Sequence, residues 1–286
     1  GSAQTSSADR EREQARVERD RARAEQQRDR EQARAQRDRD RERERRERDA
    51  AGALDTTVAF DARGSISVTC PGGAVIVTGA DRNEIRVRAR TENGAIRFTS
   101  NGSRAILEPA AGRRCSDGRF EITVPAGARV SATSWSGSVE LRGVHGDADV
   151  HTQSADIEIH DAGARLDVES LSGNVTVQGV KADAAIHTVS GDIDLGGARG
   201  DVEVETVSGD LQLRDVVARQ VRAHTTSGDV QFAGQILADG RYEFNTHSGE
   251  IGLQLPSDVG AQLNVSTFSG GIESAFPITL RTGEHG

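Results

Sequence analysis

Aromatic residues and methionine are scarce in this chain of 286 residues. It has one Trp, one Tyr, seven Phe and no Met, with only five Pro and two Cys. Aliphatic side chains and Ala must therefore fill its interior, which favours a thin, repetitive core. No apolar run approaches the ~18 residues that a membrane-spanning helix needs. We therefore expect no transmembrane segment in this chain.

Short sequence signatures of catalysis are also missing. The chain contains no Gly-x-Ser-x-Gly, no phosphate-binding glycine loop and no His-Glu-x-x-His, the patterns that position nucleophiles, phosphates or zinc in many enzymes. We predict that the protein is not an enzyme and uses no catalytic residue, cofactor or metal. The alternative is a polysaccharide-cleaving enzyme in which Asp192 and Asp210 act as a carboxylate pair. The scarcity of aromatic platforms for sugar rings weighs against it.

Charge is distributed unevenly along the chain. Residues 1–50 carry 16 Arg and 14 Asp or Glu, a net charge of +2, and the remaining residues carry a net charge of −11. An acidic body argues against nucleic acid or an anionic membrane as the partner. Opposite charges recur three residues apart within residues 1–52, which favours a solvated helical stalk. Disorder is the alternative, and the lack of an apolar stripe excludes a coiled-coil seam.

One phrase, Thr-x-Ser-Gly-Asp, recurs through the C-terminal half of the chain. Its serine returns at steps of 18, 18, 18, 18, 19, 21 and 21 residues. The serines are Ser136, Ser154, Ser172, Ser190, Ser208, Ser227, Ser248 and Ser269. A period near twenty with strand-like content predicts a solenoid.

Alignment of the units by this serine produces columns of similar residues. The apolar columns include Val139, Ile157, Val175, Ile193, Leu211, Val230, Ile251 and Ile272, and, on a second strand, Ala148, Leu166, Ala184, Val202 and Val221. Polar residues alternate with them, so one face of each strand is buried. We predict an all-β, parallel β-solenoid with two short strands and two turns in each unit. The Thr or Ser two residues before each serine has inward parity and should form a hydroxyl ladder, and the following Gly should mark a corner where successive units approach closely.

These Thr-x-Ser-Gly-Asp units, preceded by Phe120-Glu121-Ile122-Thr123-Val124-Pro125, resemble the bacterial putative-adhesin family. The similarity covers roughly residues 56–280. The resemblance implies a right-handed parallel β-solenoid of unknown function in an extracytoplasmic protein. It carries over no catalytic residues.

The region before the regular repeat is strand-like but irregular. We divide the chain into a charged segment (1–52), an N-terminal β layer continuous with the solenoid (53–128) and the regular solenoid (129–286). Residues 73–77 align with 191–195, and Ile85 and Val87 align with Val202 and Val204 when one residue is inserted. Turn signals between 92 and 118 predict hairpins or an irregular first layer that covers the open end.

Cys70 and Cys115 both lie in this N-terminal layer. In an oxidising compartment they could close a disulfide worth about 3–4 kcal/mol in the chain-entropy model. The alternative is two unrelated buried thiols. Two cysteines without paired histidines nearby make a poor zinc site.

Two outward columns carry chemistry that could bind ions. The first follows the corner glycine and comprises Asp156, Asp192, Asp210, Asp229 and Glu250, interrupted by Asn174. Stacked carboxylates could bind Ca²⁺, although Asp after Gly ordinarily caps turn amides. The second column comprises His151, Glu169, His187, Glu205 and His224. It could bind a transition metal or respond to pH, but cross-strand pairing on a wet face is the plainer interpretation.

A third column is apolar where an exposed corner is expected. It comprises Trp135, Leu171, Val189, Val207 and Phe268. We predict that it is a contact edge. The protein is then a structural or interaction protein of the bacterial envelope or surface, extracytoplasmic after removal of a signal peptide. Its partner would be a protein, an envelope polymer or another copy of itself, and a bactofilin-like filament protein is a further alternative.

Overall fold

The computed structural model describes residues 53–70, 72–91, 95–110, 118–255, 262–269 and 271–274, together with six residues of the charged segment. Those six residues are helical and exposed, and they are Arg16, Gln27, Arg34, Gln36, Arg37 and Arg39. The rest of the predicted stalk, residues 1–52, lies outside the described residues, so a continuous helix stays a prediction. By internal contacts the chain divides into Gly1–Ala50 and Ala51–Gly286.

The second unit is built from β-strands. The strands of its N-terminal layer are β1 (Ala53–Ala59), β2 (Ser65–Cys70), β3 (Gly73–Ala80), β4 (Glu84–Arg90), β5 (Ile96–Ser100), β6 (Arg104–Pro109) and β7 (Gly118–Pro125). The strands of the regular repeat are β8 (Arg129–Arg142), β9 (Ala148–Ala162), β10 (Leu166–Ser172), β11 (Val175–Val180), β12 (Ala184–Ser190), β13 (Ile193–Ala198), β14 (Val202–Ser208), β15 (Leu211–Ser227), β16 (Val230–Ser248), β17 (Ile251–Gln254), β18 (Gln262–Ser269) and β19 (Ile272–Ser274).

Strands of the regular repeat pair in parallel, one unit above the next. Ser172 lies opposite Ser154 on one side and Ser190 on the other, and the same register continues to Ser269. Equivalent residues therefore stack about 4.8 Å apart. The predicted all-β parallel β-solenoid is confirmed. Each turn of the solenoid is called a rung below.

The predicted apolar columns form the core. Val175, Ile193 and Leu211 are fully buried, as are their counterparts Leu166 and Val204 on the second strand. A lone rung could not offset the entropy of ordering it, at about 1–2 kcal/mol per residue. Stacking supplies both the missing hydrogen bonds and the missing core, which is why the array folds as a unit.

Hydroxyl groups of the predicted ladder turn inward and are buried. Thr225 donates to the carbonyl oxygen of Gly209 at 3.2 Å, and Thr246 donates to that of Gly228 at 3.0 Å. These two hydroxyls thus satisfy corner carbonyls of the preceding rung, whereas Ser170 donates to the carbonyl oxygen of Ser172 in its own rung. Thr188 differs from all three, because its buried Oγ1 has no hydrogen-bond partner.

A glycine follows most serines of the repeat, with Ala155 as the exception, and at several of these positions close contact between rungs leaves no room for a side chain. At Gly173 the backbone has φ +122°, and a Cβ there would lie 2.3 Å from the carbonyl oxygen of Ala155. Such a distance is far inside van der Waals contact, so no side chain fits without moving the backbone. Gly137 has the same relation to Gly73 in the rung below it.

The N-terminal layer differs from the prediction in one respect. Residues 73–77 do continue the column of the first strand, since Val75 lies opposite Val139. The second strand, however, is continued by Ile66 and Val68 of β2, which pair in parallel with β8. The predicted overlay of Ile85 and Val87 is therefore wrong.

Strand β4, which carries Ile85 and Val87, runs antiparallel to both β1 and β7. Its apolar residues are buried in the same hydrophobic cluster as those of the rungs, although the strand runs antiparallel to its neighbours. Strands β5 and β6 form an antiparallel hairpin whose turn contains Asn101 and Gly102. Strands β6 and β7 pair in parallel with β2 and β3, so the layer holds two parallel rungs, to which β1, β4 and β5 add antiparallel strands.

Cys70 stands at the start of the hydroxyl ladder, opposite Ser134. Its side chain is fully buried, and its Sγ lies 2.9 Å from the carbonyl oxygen of Gly72. Cys115 lies outside the described residues, so the disulfide stays a prediction. Among the described residues, no helix has the length and apolar character needed to cross a bilayer.

Candidate interaction site

An exposed apolar edge runs along the corner where each second strand ends. Within Thr-x-Ser the threonine points inward, so the middle residue must point outward. The five predicted residues there, Trp135, Leu171, Val189, Val207 and Phe268, are all exposed, from 43% for Val189 to 82% for Phe268. These five residues are called the apolar edge below.

The apolar edge is long. Seven rung steps separate Trp135 from Phe268 in the parallel register, a length of roughly 34 Å at the usual strand spacing. Gln153, Thr226 and His247 interrupt it. The ring of His247 stacks on Phe268 with centroids 4.8 Å apart and planes 6° from parallel. The stack widens the apolar surface at this end of the edge.

The acidic column borders the apolar edge on one side. Asp192 Oδ1 accepts the backbone N–H of Asp210 at 2.9 Å, and Asp210 Oδ1 accepts that of Asp229 at 2.8 Å. Asp229 and Asp156 make the same contact with the next rung. The column is therefore a ladder in which the four Asp carboxylates each cap a backbone amide of the next rung.

Asn174 shows that this capping does not require a charge. Its Oδ1 accepts the backbone N–H of Asp192 at 3.1 Å, in the same way as the carboxylates around it. Within the part of the chain that the structure describes, no three His, Cys, Asp or Glu side chains are grouped to hold a metal ion. The geometry thus accounts for the acidic column by amide capping, and Ca²⁺ binding there stays a prediction.

The His–Glu column borders the apolar edge on its other side. Nδ1 of His151 lies 3.1 Å from Oε2 of Glu169, and Nδ1 of His187 lies 3.5 Å from Oε2 of Glu205. These side chains are partly exposed and pair across neighbouring rungs. Cross-strand pairing is the geometry expected on a wet sheet face.

The two bordering columns contain no Lys or Arg over the described rungs from Thr133 to Gly271. Seven carboxylates flank the apolar edge, and they are Asp156, Glu169, Asp192, Glu205, Asp210, Asp229 and Glu250. The apolar edge is thus an uncharged ridge between two negative borders. This combination, and not either feature alone, defines the site.

The opposite end of the second strand has a different character. A groove of about 300 Å³ there is lined by Arg165, Asp183, Asp201, Glu203, Arg222 and Glu243, among others. Arg222 donates to Glu203 at 2.8 Å, and this contact holds the pKa of Arg222 above its ordinary value. Positive and negative groups are therefore paired within this groove, whereas the borders of the apolar edge carry one sign.

Sequence reasoning missed a second amide ladder beside this groove. Asp183 Oδ1 accepts the backbone N–H of Asp201 at 3.0 Å, and Asp201 Oδ1 accepts that of Gln220 at 3.2 Å. The signal was present, because an Asp precedes the second strand in several units. Arg165 and Gln220 occupy the same position in other rungs, so the column is not uniformly acidic in the sequence.

The chain is a parallel β-solenoid whose corners carry ladders of carboxylates that cap backbone amides. The Toastrack DUF4097 family matches residues 4–285. The chain therefore belongs to that family, which agrees with the resemblance noted from the Thr-x-Ser-Gly-Asp units.

Several solved structures are similar to this chain. A putative adhesin from Bacteroides fragilis is 15% identical, with a TM-score of 0.39, covering 77% of this chain and 95% of its own. A putative lipid binding protein from Parabacteroides distasonis is 10% identical, with a TM-score of 0.36, covering 78% of this chain and 97% of its own. A putative adhesin from Parabacteroides merdae is 9% identical, with a TM-score of 0.37, covering 78% and 96% respectively. No curated protein matches the sequence.

Proposed function

We propose that this chain is a non-enzymatic interaction protein of the bacterial envelope or surface, and that it binds its partner through the apolar edge. The observation that carries the proposal is the exposure of five large apolar side chains in one line, between 43% and 82%. Leu171, Val189 and Val207 occupy three consecutive rungs of this line, and soluble proteins rarely expose apolar side chains grouped in this way unless another molecule covers them.

The fold supports a binding role for this edge. The apolar edge lies on paired strands of a stacked sheet, so its side chains are held at fixed spacing before any partner arrives. A preordered surface loses little conformational entropy on binding. None of the five side chains is needed to fill the core, because the inward columns are complete without them.

A photocrosslinking experiment in the native host tests the proposal. A benzophenone amino acid replaces Val189 on the apolar edge or, as a control, Gln212, which is exposed on the outer face of the first strand. We expect an adduct at position 189 and none at 212. The double substitution Leu171→Ser and Val207→Ser, in the rungs on either side, should remove the adduct. Equal adducts at both positions, or none at 189, would contradict the proposal.

The same variants should leave the fold intact. Leu171 and Val207 are each 49% exposed, and substitutions at exposed sites usually change stability by no more than about 0.5 kcal/mol. Thermal unfolding of the double serine variant should therefore match that of the wild type. Fractionation of cells that express the native gene tests the proposed extracytoplasmic location, and recovery in the cytosolic fraction would refute it.

A further inference from the structure

We propose that the partner of the apolar edge is a cationic polypeptide segment that carries apolar side chains. This inference rests on the proposed function and adds the chemistry of the partner. It follows from the borders of the edge and not from the edge itself.

Charge on the borders selects the partner. Any molecule wide enough to cover the apolar edge also approaches the acidic column and the His–Glu column, which together hold seven carboxylates and no Lys or Arg among the described rungs. A neutral apolar partner would strip water from these carboxylates without pairing them, which costs free energy. A partner with Lys or Arg beside its apolar residues pairs them.

Two other occupants are disfavoured by the same charges. A second copy docking through its own apolar edge would bring carboxylates against carboxylates. An anionic lipid surface would be repelled for the same reason. The groove at the far end of the second strand gives no comparable selection, because Arg222 is already paired with Glu203 there.

The charge of the acidic column can be removed without removing its structural role. Asn174 already caps the amide of Asp192 with an uncharged side chain. The double substitution Asp192→Asn and Asp210→Asn should therefore keep both amide contacts and delete two negative charges beside Val189 and Val207.

The chain offers a matched control for this double variant. Asp183 and Asp201 also cap backbone amides of the next rung. They precede the second strand, so Asp183 lies six residues, or roughly 20 Å, from Val189 along the same strand. Asp183→Asn with Asp201→Asn deletes the same number of charges from the same kind of ladder, away from the apolar edge.

Binding is measured with three synthetic peptides of equal length that share their apolar residues and carry Lys, Ser or Glu at the remaining positions. Trp135 is the only tryptophan and belongs to the apolar edge, so its fluorescence reports contact directly. Measurements are made at about pH 8, where imidazole is ordinarily neutral. We expect a blue shift and saturable binding with the Lys peptide, weaker binding with the Ser peptide and none with the Glu peptide.

Asp192→Asn with Asp210→Asn should weaken binding of the Lys peptide about three- to tenfold, or about 0.7–1.4 kcal/mol, because two exposed charge pairs are lost. The Asp183 and Asp201 control should bind like the wild type. Added salt should weaken binding of the Lys peptide by the wild type and should change the Asp192 and Asp210 variant less.

The outcomes separate the inference from the proposed function. Equal binding of all three peptides, equal effects of the two Asn variants, or preferential binding to anionic lipid vesicles would overturn the inference. The proposed function would survive any of these results if the adduct at position 189 still depended on Leu171 and Val207. Lys-peptide binding unchanged by Leu171→Ser and Val207→Ser would overturn both.

Discussion

The rungs up to Ser208 and those after it differ in length and in the side chains that fill their interiors. The earlier rungs, called the short rungs, repeat every 18 residues and fill their interior with aliphatic side chains such as Ile193 and Leu195. The later rungs, called the long rungs, repeat every 19 or 21 residues and bury Phe232, Tyr242 and Phe244.

The extra residues of the long rungs enter at one corner only. Register is kept at the Ser-Gly corner, where Ser227 lies opposite Ser248, and shifts occur between Arg214 and Val216 and between Ala218 and Gln220. The Ser-Gly corner has backbone in contact with backbone and leaves no space for an insertion. The other corner can bulge outward, provided that something fills the wider interior.

Tyr242 fills the wider interior of the long rungs and holds the bulge in place. Its ring packs near Phe232, with centroids 6.3 Å apart, while Phe232 and Phe244 lie 5.0 Å apart. Its hydroxyl donates to the carbonyl oxygen of Ala218 at 2.6 Å and accepts the N–H of Leu237 at 2.8 Å. One side chain thus satisfies two backbone groups that the insertion would leave unpaired.

The largest effect is expected for Gly173→Ala, which tests whether the Ser-Gly corner has no space for a side chain. The new Cβ would stand 2.3 Å from the carbonyl oxygen of Ala155, with φ at +122°. Because the clash is with backbone, two rungs must separate. We expect a loss of about 3–5 kcal/mol in the free energy of unfolding, measured by denaturant titration.

Gly102→Ala in the hairpin of the N-terminal layer is the control. Gly102 also has a positive φ, +91°, but a Cβ there meets nothing within 4 Å. Only backbone strain remains, at about 1–2 kcal/mol. Equal losses for the two variants would show that conformation, and not contact between rungs, makes the corner glycine necessary.

Tyr242→Phe tests whether the hydroxyl of Tyr242 holds the bulge of the long rungs. The ring remains, but the N–H of Leu237 and the carbonyl of Ala218 lose their partner, and each unsatisfied buried group costs about 1–3 kcal/mol. Two groups lose their partner, but Leu237 is only partly buried, so we expect a destabilisation of about 2–4 kcal/mol. The amide of Leu237 should exchange faster with solvent, and the amide of Val230, which donates to Glu250 at 2.9 Å, should not. Unchanged exchange at Leu237 would mean that the hydroxyl does not hold the bulge.

The short rungs could be predicted almost completely from the sequence. Every unit copies the last, so the serine register and the buried columns at Val175 and Leu195 follow from alignment alone. The apolar edge followed too, because Val189 has outward parity and is nonetheless apolar. In these rungs a period-two pattern has one consistent interpretation, since each strand's neighbours are its own copies.

The N-terminal layer and the Tyr242 contacts could not be predicted in the same way. Ile85 and Val87 show the same alternation as Ile66 and Val68, and alternation says nothing about whether a strand runs parallel or antiparallel to its neighbour. Tyr242 falls in an apolar column, so its apolar role was visible. Its hydroxyl partners depend on how the inserted residues fold back, which no local pattern encodes.

Alkaline pH provides a second measure of the Tyr242 hydroxyl. Burial raises the pKa of Tyr242 above its ordinary value of 10. The folded state therefore keeps a proton that the unfolded state releases, so stability present below pH 10 is lost as pH rises from there toward the folded pKa. The loss should approach about 1.4 kcal/mol per pH unit. Tyr242→Phe should remove this slope, and an identical slope in the variant would assign it to other groups.

The hydroxyl ladder gives the smallest expected effect, because it allows one hydrogen-bonded threonine to be compared with one that has no partner. Thr246, in a long rung, donates to the carbonyl oxygen of Gly228 at 3.0 Å, whereas Thr188, in a short rung, has no partner for its Oγ1. Both are about 5–6% exposed. Valine has nearly the same shape, so the two substitutions differ in the hydrogen bond alone.

Thr246→Val should therefore cost about 1 kcal/mol, the net value of a typical hydrogen bond. Thr188→Val should be neutral or slightly stabilising, because it removes a buried hydroxyl that nothing satisfies. Chemical denaturation of the two variants beside the wild type measures the difference. If both variants lose the same free energy of unfolding, the hydrogen bond of Thr246 contributes nothing measurable. The ladder would then stabilise the fold through the shape of threonine alone.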